Sequence, residues 1–143
     1  MTTPTQVPTT SPRLVSVRLI TEDVARLVAF YEQVAGVPAQ WSTPDFAQVG
    51  TAVGALAIGS TRTVALAGAG AARSADALTA IIEFLVADVD AERARLDGVL
   101  TDVVMEPTTM PWGNRSLLFR DPDGTLVNLF TPVTPDAVAR AGG

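Results

Sequence analysis

Residues 111–130 read PWGNRSLLFRDPDGTLVNLF. Two apolar runs, RSLLFR and TLVNLF, flank DPDG, whose Pro and Gly suit a tight reversal. The stretch therefore predicts a β-hairpin. The second run carries one polar residue, Asn128. Apolar segments of this kind bury both faces, so a lone amide needs a reason. Either it is a core amide bonded to neighbouring backbone, or it orients a ligand in a mostly apolar pocket.

Upstream, VVMEPTTMP reads as another strand, and LTAIIEFLVADVDAERARLDG as a strand followed by a helix, with Asp88 as N-cap and Gly98 as stop. The same order opens the chain. RLVSVRLI (13–20) predicts a strand, and TEDVARLVAFYEQVAG places Val24, Leu27, Val28, Tyr31, Val34 and Ala35 at helical spacing. Asp23 is the expected N-cap there, with Gly36 and Pro38 as the stop. Between the two lie short strand candidates at AQWS, FAQVG, ALAIG and RTVALA. Overlaying the units pairs Asp23 with Asp88, an offset of 65 (88 − 23), and the same offset pairs Ser16 with Ile81, Arg18 with Glu83 and Val24 with Val89. The prediction is a duplicated βαβββ unit in one α+β domain. The modules span 13–67 and 78–133, joined by a small, polar connector at 68–77. Residues 1–12 are expected to be a disordered Thr/Pro tail, and 134–143 a C-terminal tail that frays.

Composition narrows the chemistry. The 143 residues suffice for one domain with a sizeable core. The absence of cysteine excludes disulfides, Cys-ligated zinc and thiol nucleophiles. The absence of histidine removes the commonest general base and metal ligand. Ten arginines are scattered among fifteen acidic residues, giving a net charge of −5, so nucleic acid is not an expected partner. No apolar run reaches the length of a membrane span. MTTPTQVPTTSP lacks a signal-peptide pattern, and a cytoplasmic location is expected.

Three stretches, VRLITEDVARLVAFYEQVAGVP, FLVADVDAERARL and PWGNRSLLFRDPDGTLVNLF, together resemble the vicinal oxygen chelate superfamily of glyoxalases, extradiol dioxygenases and bleomycin-resistance proteins. The resemblance implies two βαβββ modules forming a curved mixed sheet around a concave pocket. Its metal-using members carry ligands on the opening strand of each module and on the final strand. The matching positions here are Ser16 and Ile81, where those members have His, and Asn128, where they have Glu. The first module's closing strand, GALAIG, offers no carboxylate. Serine, isoleucine and asparagine do not make a divalent-metal site, so no metal and no cofactor are expected. The resemblance then points to the metal-free branch, whose bleomycin-resistance-like members sequester hydrophobic or aromatic drugs and natural products. That implies a homodimer with the pocket at the subunit interface.

Alternation from Asn128 puts Leu126 and Phe130 on its face, and aims Ser16, Arg18, Ile81 and Glu83 at the same cavity. Arg18 and Glu83 could meet near the pseudo-twofold axis, as a structural bridge or as ligand contacts. Trp41 and Trp112 are either packing or platforms for a planar ligand. Phe46 adds apolar wall. The expected ligand-binding set is Ser16, Arg18, Trp41, Phe46, Glu83, Trp112, Arg115 and Asn128. The leading function is metal-independent sequestration of a small molecule. The alternatives are a metal-free lyase or isomerase using Glu83 as base, and a scaffold whose cavity is vestigial.

Overall fold

The computed structural model describes residues 14, 16–63 and 80–141. The 1–12 tail, the 68–77 connector and residues 64–67 of RTVALA lie outside the described residues; Arg62 and Thr63 belong to a short 3₁₀ turn. The first module runs β1 (Ser16–Thr21), α1 (Val24–Ala35), β2 (Gln40–Thr43), β3 (Phe46–Gly50) and β4 (Ala55–Ser60). The second runs β5 (Ile81–Leu85), α2 (Val89–Arg95), β6 (Val103–Thr109), β7 (Asn114–Arg120) and β8 (Leu126–Pro132), and is followed by α3 (Pro135–Ala141).

Each module builds its own four-stranded sheet, in the orders β1-β4-β3-β2 and β5-β8-β7-β6. The opening strand pairs in parallel with the module's last strand, and the other pairings are antiparallel. The duplication read from the sequence is thus a duplication of topology. Pro107 sits in β6, an outer strand, where a residue without an N–H is tolerated, and the β6–β7 register slips on either side of Met105.

α1 begins where the Asp23 side chain accepts from the Arg26 N–H at 3.1 Å, and ends at Gly36, whose φ of 71° is left-handed. Its apolar stripe, Val24, Leu27, Val28, Tyr31 and Val34, is buried. One core runs beneath both modules: Leu19, Ala47, Val49, Leu56 and Ile58 join Val89, Leu96, Leu117, Phe119, Val127 and Leu129. Phe30 packs edge-on against Phe119 across the boundary, with ring centroids 6.1 Å apart.

Polar contacts fasten α1 to the second module as well. The Tyr31 hydroxyl donates to Asp121 Oδ2 at 2.7 Å, and the Arg26 guanidinium donates to the Pro122 carbonyl at 2.7 Å. Arg95 of α2 donates to the Gln33 and Val34 carbonyls at 2.8 and 3.0 Å, at the C-terminal end of α1 where carbonyls lack helical partners.

The fraying expected at the C-terminus is corrected. Thr134 Oγ1 accepts from the Ala137 N–H at 3.2 Å, Pro135 fits the first helical position, and Ala137 is buried.

Candidate functional site

Because strands alternate, the core claims one face of each sheet and leaves the other open. In the second module Ile82, Phe84, Leu117, Phe119, Val127 and Leu129 point to the core. The opposite face carries Ile81, Glu83 and Leu85 of β5 beside their partners Leu126, Asn128 and Phe130 of β8, with Leu118 of β7 next across. This surface is mostly apolar, and Ile81 and Leu85 are about half exposed. Its centre is polar: Asn128 Nδ2 donates to Glu83 Oε2 at 2.9 Å. Among the described residues the buried Asn128 Oδ1 has no hydrogen-bond partner. An orphaned acceptor of that kind costs about 1–3 kcal/mol.

α3 lies over one end of this face. Leu85, Asn114 and Phe130 from the strands and Ala137, Arg140 and Ala141 from α3 enclose a cleft of about 330 Å³. Arg140 is held there by donating to the Trp112 carbonyl.

The open face of the first module carries Ser16 and Arg18 of β1 with Phe46 and Gln48 of β3, which follow from the pairing through β4. The Arg18 guanidinium stands 5.3 Å from the centroid of Phe46, a cation–π contact. A second cleft, about 260 Å³, opens at the seam between the modules, where Val17, Val49 and Leu56 face Ile82 and Phe84.

The eight residues expected to line a ligand site separate into three groups. Arg18 and Phe46 touch each other, with Ser16 two residues along the same strand face. Glu83 and Asn128 touch each other on the second sheet. Trp41, Trp112 and Arg115 belong to neither face. Trp41 pairs with Ala47, a core-side position at the sheet edge. Trp112 is exposed in the β6–β7 turn. Arg115 pairs with Thr131, out of phase with Asn128 and Phe130, and its guanidinium donates to Asp90 at 2.7 and 3.0 Å at the start of α2. Those hydrogen bonds hold the Asp90 carboxyl below the usual carboxylate range.

The intrachain meeting of Arg18 with Glu83 does not occur. They lie on separate sheets, Glu83 takes the Asn128 amide as partner, and no ion pair among the described residues joins them. The sequence reading did not include Leu85, Phe130 and α3 in the site. The signal for α3 was present in Thr134-Pro135-Asp136, a capping residue, a proline at the first helical position and an acid in the first turn.

The metal that the resemblance implies for some relatives has no donor set here. Ser16, Ile81 and Asn128 supply a hydroxyl, a hydrocarbon and an amide, and among the described residues no three His, Cys, Asp or Glu side chains cluster to hold an ion.

This architecture, a duplicated βαβββ unit with helices on one side and open sheet faces on the other, defines a recognisable class. The profile of the Glyoxalase/Bleomycin resistance protein/Dioxygenase superfamily matches residues 13–129, and the chain belongs to that superfamily. Solved structures agree at the level of fold. A glyoxalase/bleomycin resistance protein/dioxygenase from Nocardioides superposes with a TM-score of 0.73 at 20% identity, covering 90% of this chain and 89% of that one. A family enzyme from Burkholderia phytofirmans PsJN gives 0.72 at 17% identity, with coverage of 82% and 97%. A lactoylglutathione lyase from Agrobacterium tumefaciens gives 0.66 at 20% identity, with coverage of 85% and 95%. Curated protein sequences contain no match.

Proposed function

We propose that this chain binds a small hydrophobic or aromatic molecule on its open sheet faces without the help of a metal, and sequesters it rather than transforming it. The supporting observation is the composition of the second module's open face. Leu85, Leu118, Leu126 and Phe130 surround one hydrogen-bonded pair, Glu83 and Asn128. Apolar walls with a few polar anchors are what a small-molecule site requires. A homodimer is part of the proposal. β1 and β5 each stand at the edge of their sheet, and β5 presents exposed Ile81 and Leu85 along that edge.

Both tryptophans lie off the open faces, so calorimetry suits this protein better than tryptophan quenching. Titration with a panel of planar aromatic natural products is expected to give saturable heat with at least one of them. Flat titrations across the panel would reject sequestration. Sedimentation velocity at micromolar concentration is expected to show twice the chain mass, and a purely monomeric profile would reject the dimer.

The lyase or isomerase alternative assigns Glu83 as base. Glu83 is exposed and hydrogen-bonded to the Asn128 amide, and among the described residues it has no acidic or nucleophilic side chain as a partner. Turnover of a bound compound that disappears in Glu83→Gln while binding persists would overturn the sequestration reading.

A further inference from the structure

We infer that β1 of one copy adds to β5 of a second copy, with Arg18 set against the partner's Glu83, so that the two open faces join across the subunit boundary. The inference rests on the homodimer proposed above and names its surfaces.

The four sheet edges are not alike. One sheet ends in β1 and β2, the other in β5 and β6. β2 and β6 are irregular: the β2–β3 register slips between Trp41 and Thr43, and β6 holds Pro107 and slips on either side of Met105. Slips and prolines of this kind hinder the addition of a further strand. β1 and β5 have neither. Each runs in unbroken parallel register with its inner neighbour and contains no proline. The Val86 N–H donates inward to the Phe130 carbonyl, so alternation turns the Glu83 and Leu85 N–H groups toward the outer edge. Among the described residues no strand lies against either edge.

Charge decides which of these two edges meets which. Arg18 is the middle residue of Ser16, Arg18 and Ile20 on the open face of β1, and Glu83 is the middle residue of Ile81, Glu83 and Leu85 on that of β5. Both are exposed, and neither forms an ion pair among the described residues. Pairing β1 with its own copy about Arg18 opposes two guanidiniums, and pairing β5 with its own copy about Glu83 opposes two carboxylates. Like charges directly opposite destabilise a strand pair, and opposite charges stabilise it. The mixed pairing sets Arg18 against the partner's Glu83 in either strand direction, because each is the middle residue. A twofold dimer makes that contact twice.

The join has a consequence for the ligand. The first module's face is low, since Ala55, Ala57 and Gly59 of β4 stand beside Ser16, Arg18 and Ile20. The second module's face is tall, with Leu126, Asn128 and Phe130 of β8 beside Ile81, Glu83 and Leu85. In a single copy each face stops at an open edge. In the dimer a molecule lying on the low face of one subunit has the apolar wall of the other beside it.

Sedimentation equilibrium of full-length protein tests the pairing. Arg18→Glu and Glu83→Arg, both at exposed positions, are each expected to weaken the dimer at least roughly tenfold, and the double variant to return to within about threefold of the parent. Glu83→Gln keeps the test decisive should a reversal disturb the fold. It is expected to weaken the dimer, whereas pairing of β5 with its own copy would make it tighter. Single reversals without effect, a folded double variant as weak as the singles, or a Glu83→Gln dimer as tight as the parent or tighter would each overturn the inference. None of these outcomes touches the calorimetric test of binding. A monomeric parent would overturn the inference together with the dimer, and saturable binding to that monomer would still uphold sequestration.

Discussion

The Tyr31 hydroxyl, on a side chain with no solvent exposure, donates at 2.7 Å to the carboxylate of Asp121, itself only 4% exposed. Asp121 also accepts the Asp123 and Thr125 N–H groups at 2.8 and 3.0 Å, so one carboxylate shapes the β7–β8 turn and anchors α1 to it. Tyr31→Phe removes the donor and leaves that oxygen buried. The expected loss is about 1–3 kcal/mol, read as a lower denaturation midpoint with an unchanged m-value.

The same contact predicts a steep alkaline limit. Burial, followed by the Asp121 charge and hydrogen bond, raises the Tyr31 pKa far above its ordinary value. A raised pKa means the stabilisation is complete below the unfolded phenol's pKa of about 10 and is lost as pH climbs beyond it. Tyr31 is the sole tyrosine, and the chain has no cysteine or lysine to titrate alongside it. Unfolding free energy is therefore expected to fall by about 1.4 kcal/mol per pH unit above pH 10. Tyr31→Phe should abolish that slope. An equal slope in both proteins would place its origin elsewhere.

Arg95 binds the last carbonyls of α1 and Glu92 of its own helix. Arg95→Ala is expected to cost about 1 kcal/mol, the usual scale for a cation at a helix C-terminus. Hydrogen exchange should accelerate in the last turn of α1, because the carbonyls that lose a partner are there.

Asn128→Leu tests whether the amide serves stability or binding. It removes a buried acceptor with no partner and extends an apolar face, while the Glu83 left behind is exposed to water. The expected result is a melting temperature equal to or above that of the parent, together with weaker binding of the proposed small-molecule ligand. A clear destabilisation would mean that Asn128 is a structural amide.

Gly113 combines a φ of 92° with a crowded neighbour, since an added Cβ would lie 2.0 Å from Thr134 Oγ1. Thr134 is the residue that starts α3. Gly113→Ala is expected to cost at least about 1–3 kcal/mol, the scale for a non-glycine residue forced into that backbone region. Amide shifts of α3 should report displacement of the helix.

Much of the fold could be read from residues that act locally. Asp23 and Asp88 announce helix starts, Gly36 an end, and DPDG a reversal, and each needs only its neighbours in sequence to do so. The placement of Asn128 beside Glu83 was within reach too, because alternation along β5 and β8 puts both on one face. Arg115 shows where that reasoning stops. Its face is decided by pairing with Thr131, and its partner Asp90 lies on α2, 25 residues away in sequence. Trp41 is similar: the β2–β3 register slips between Trp41 and Thr43, which no count along the chain anticipates. α3 was overlooked because its small residues carry little apolar signal, and its stability comes from a cap and from packing on β8.

The fastening of α1 at Tyr31, Arg26 and Arg95 has a kinetic consequence. Hinged opening of one module against the other would break three separate sets of contacts and expose the shared core, so it is expected to be slow. The parts of the open face outside these fastenings are the exposed Glu83 side chain and the seven-residue α3. If the chain binds a small molecule as proposed, its residence time is expected to be set at the rim, and substitutions that loosen α3 are expected to accelerate release while leaving the rate of capture nearly constant.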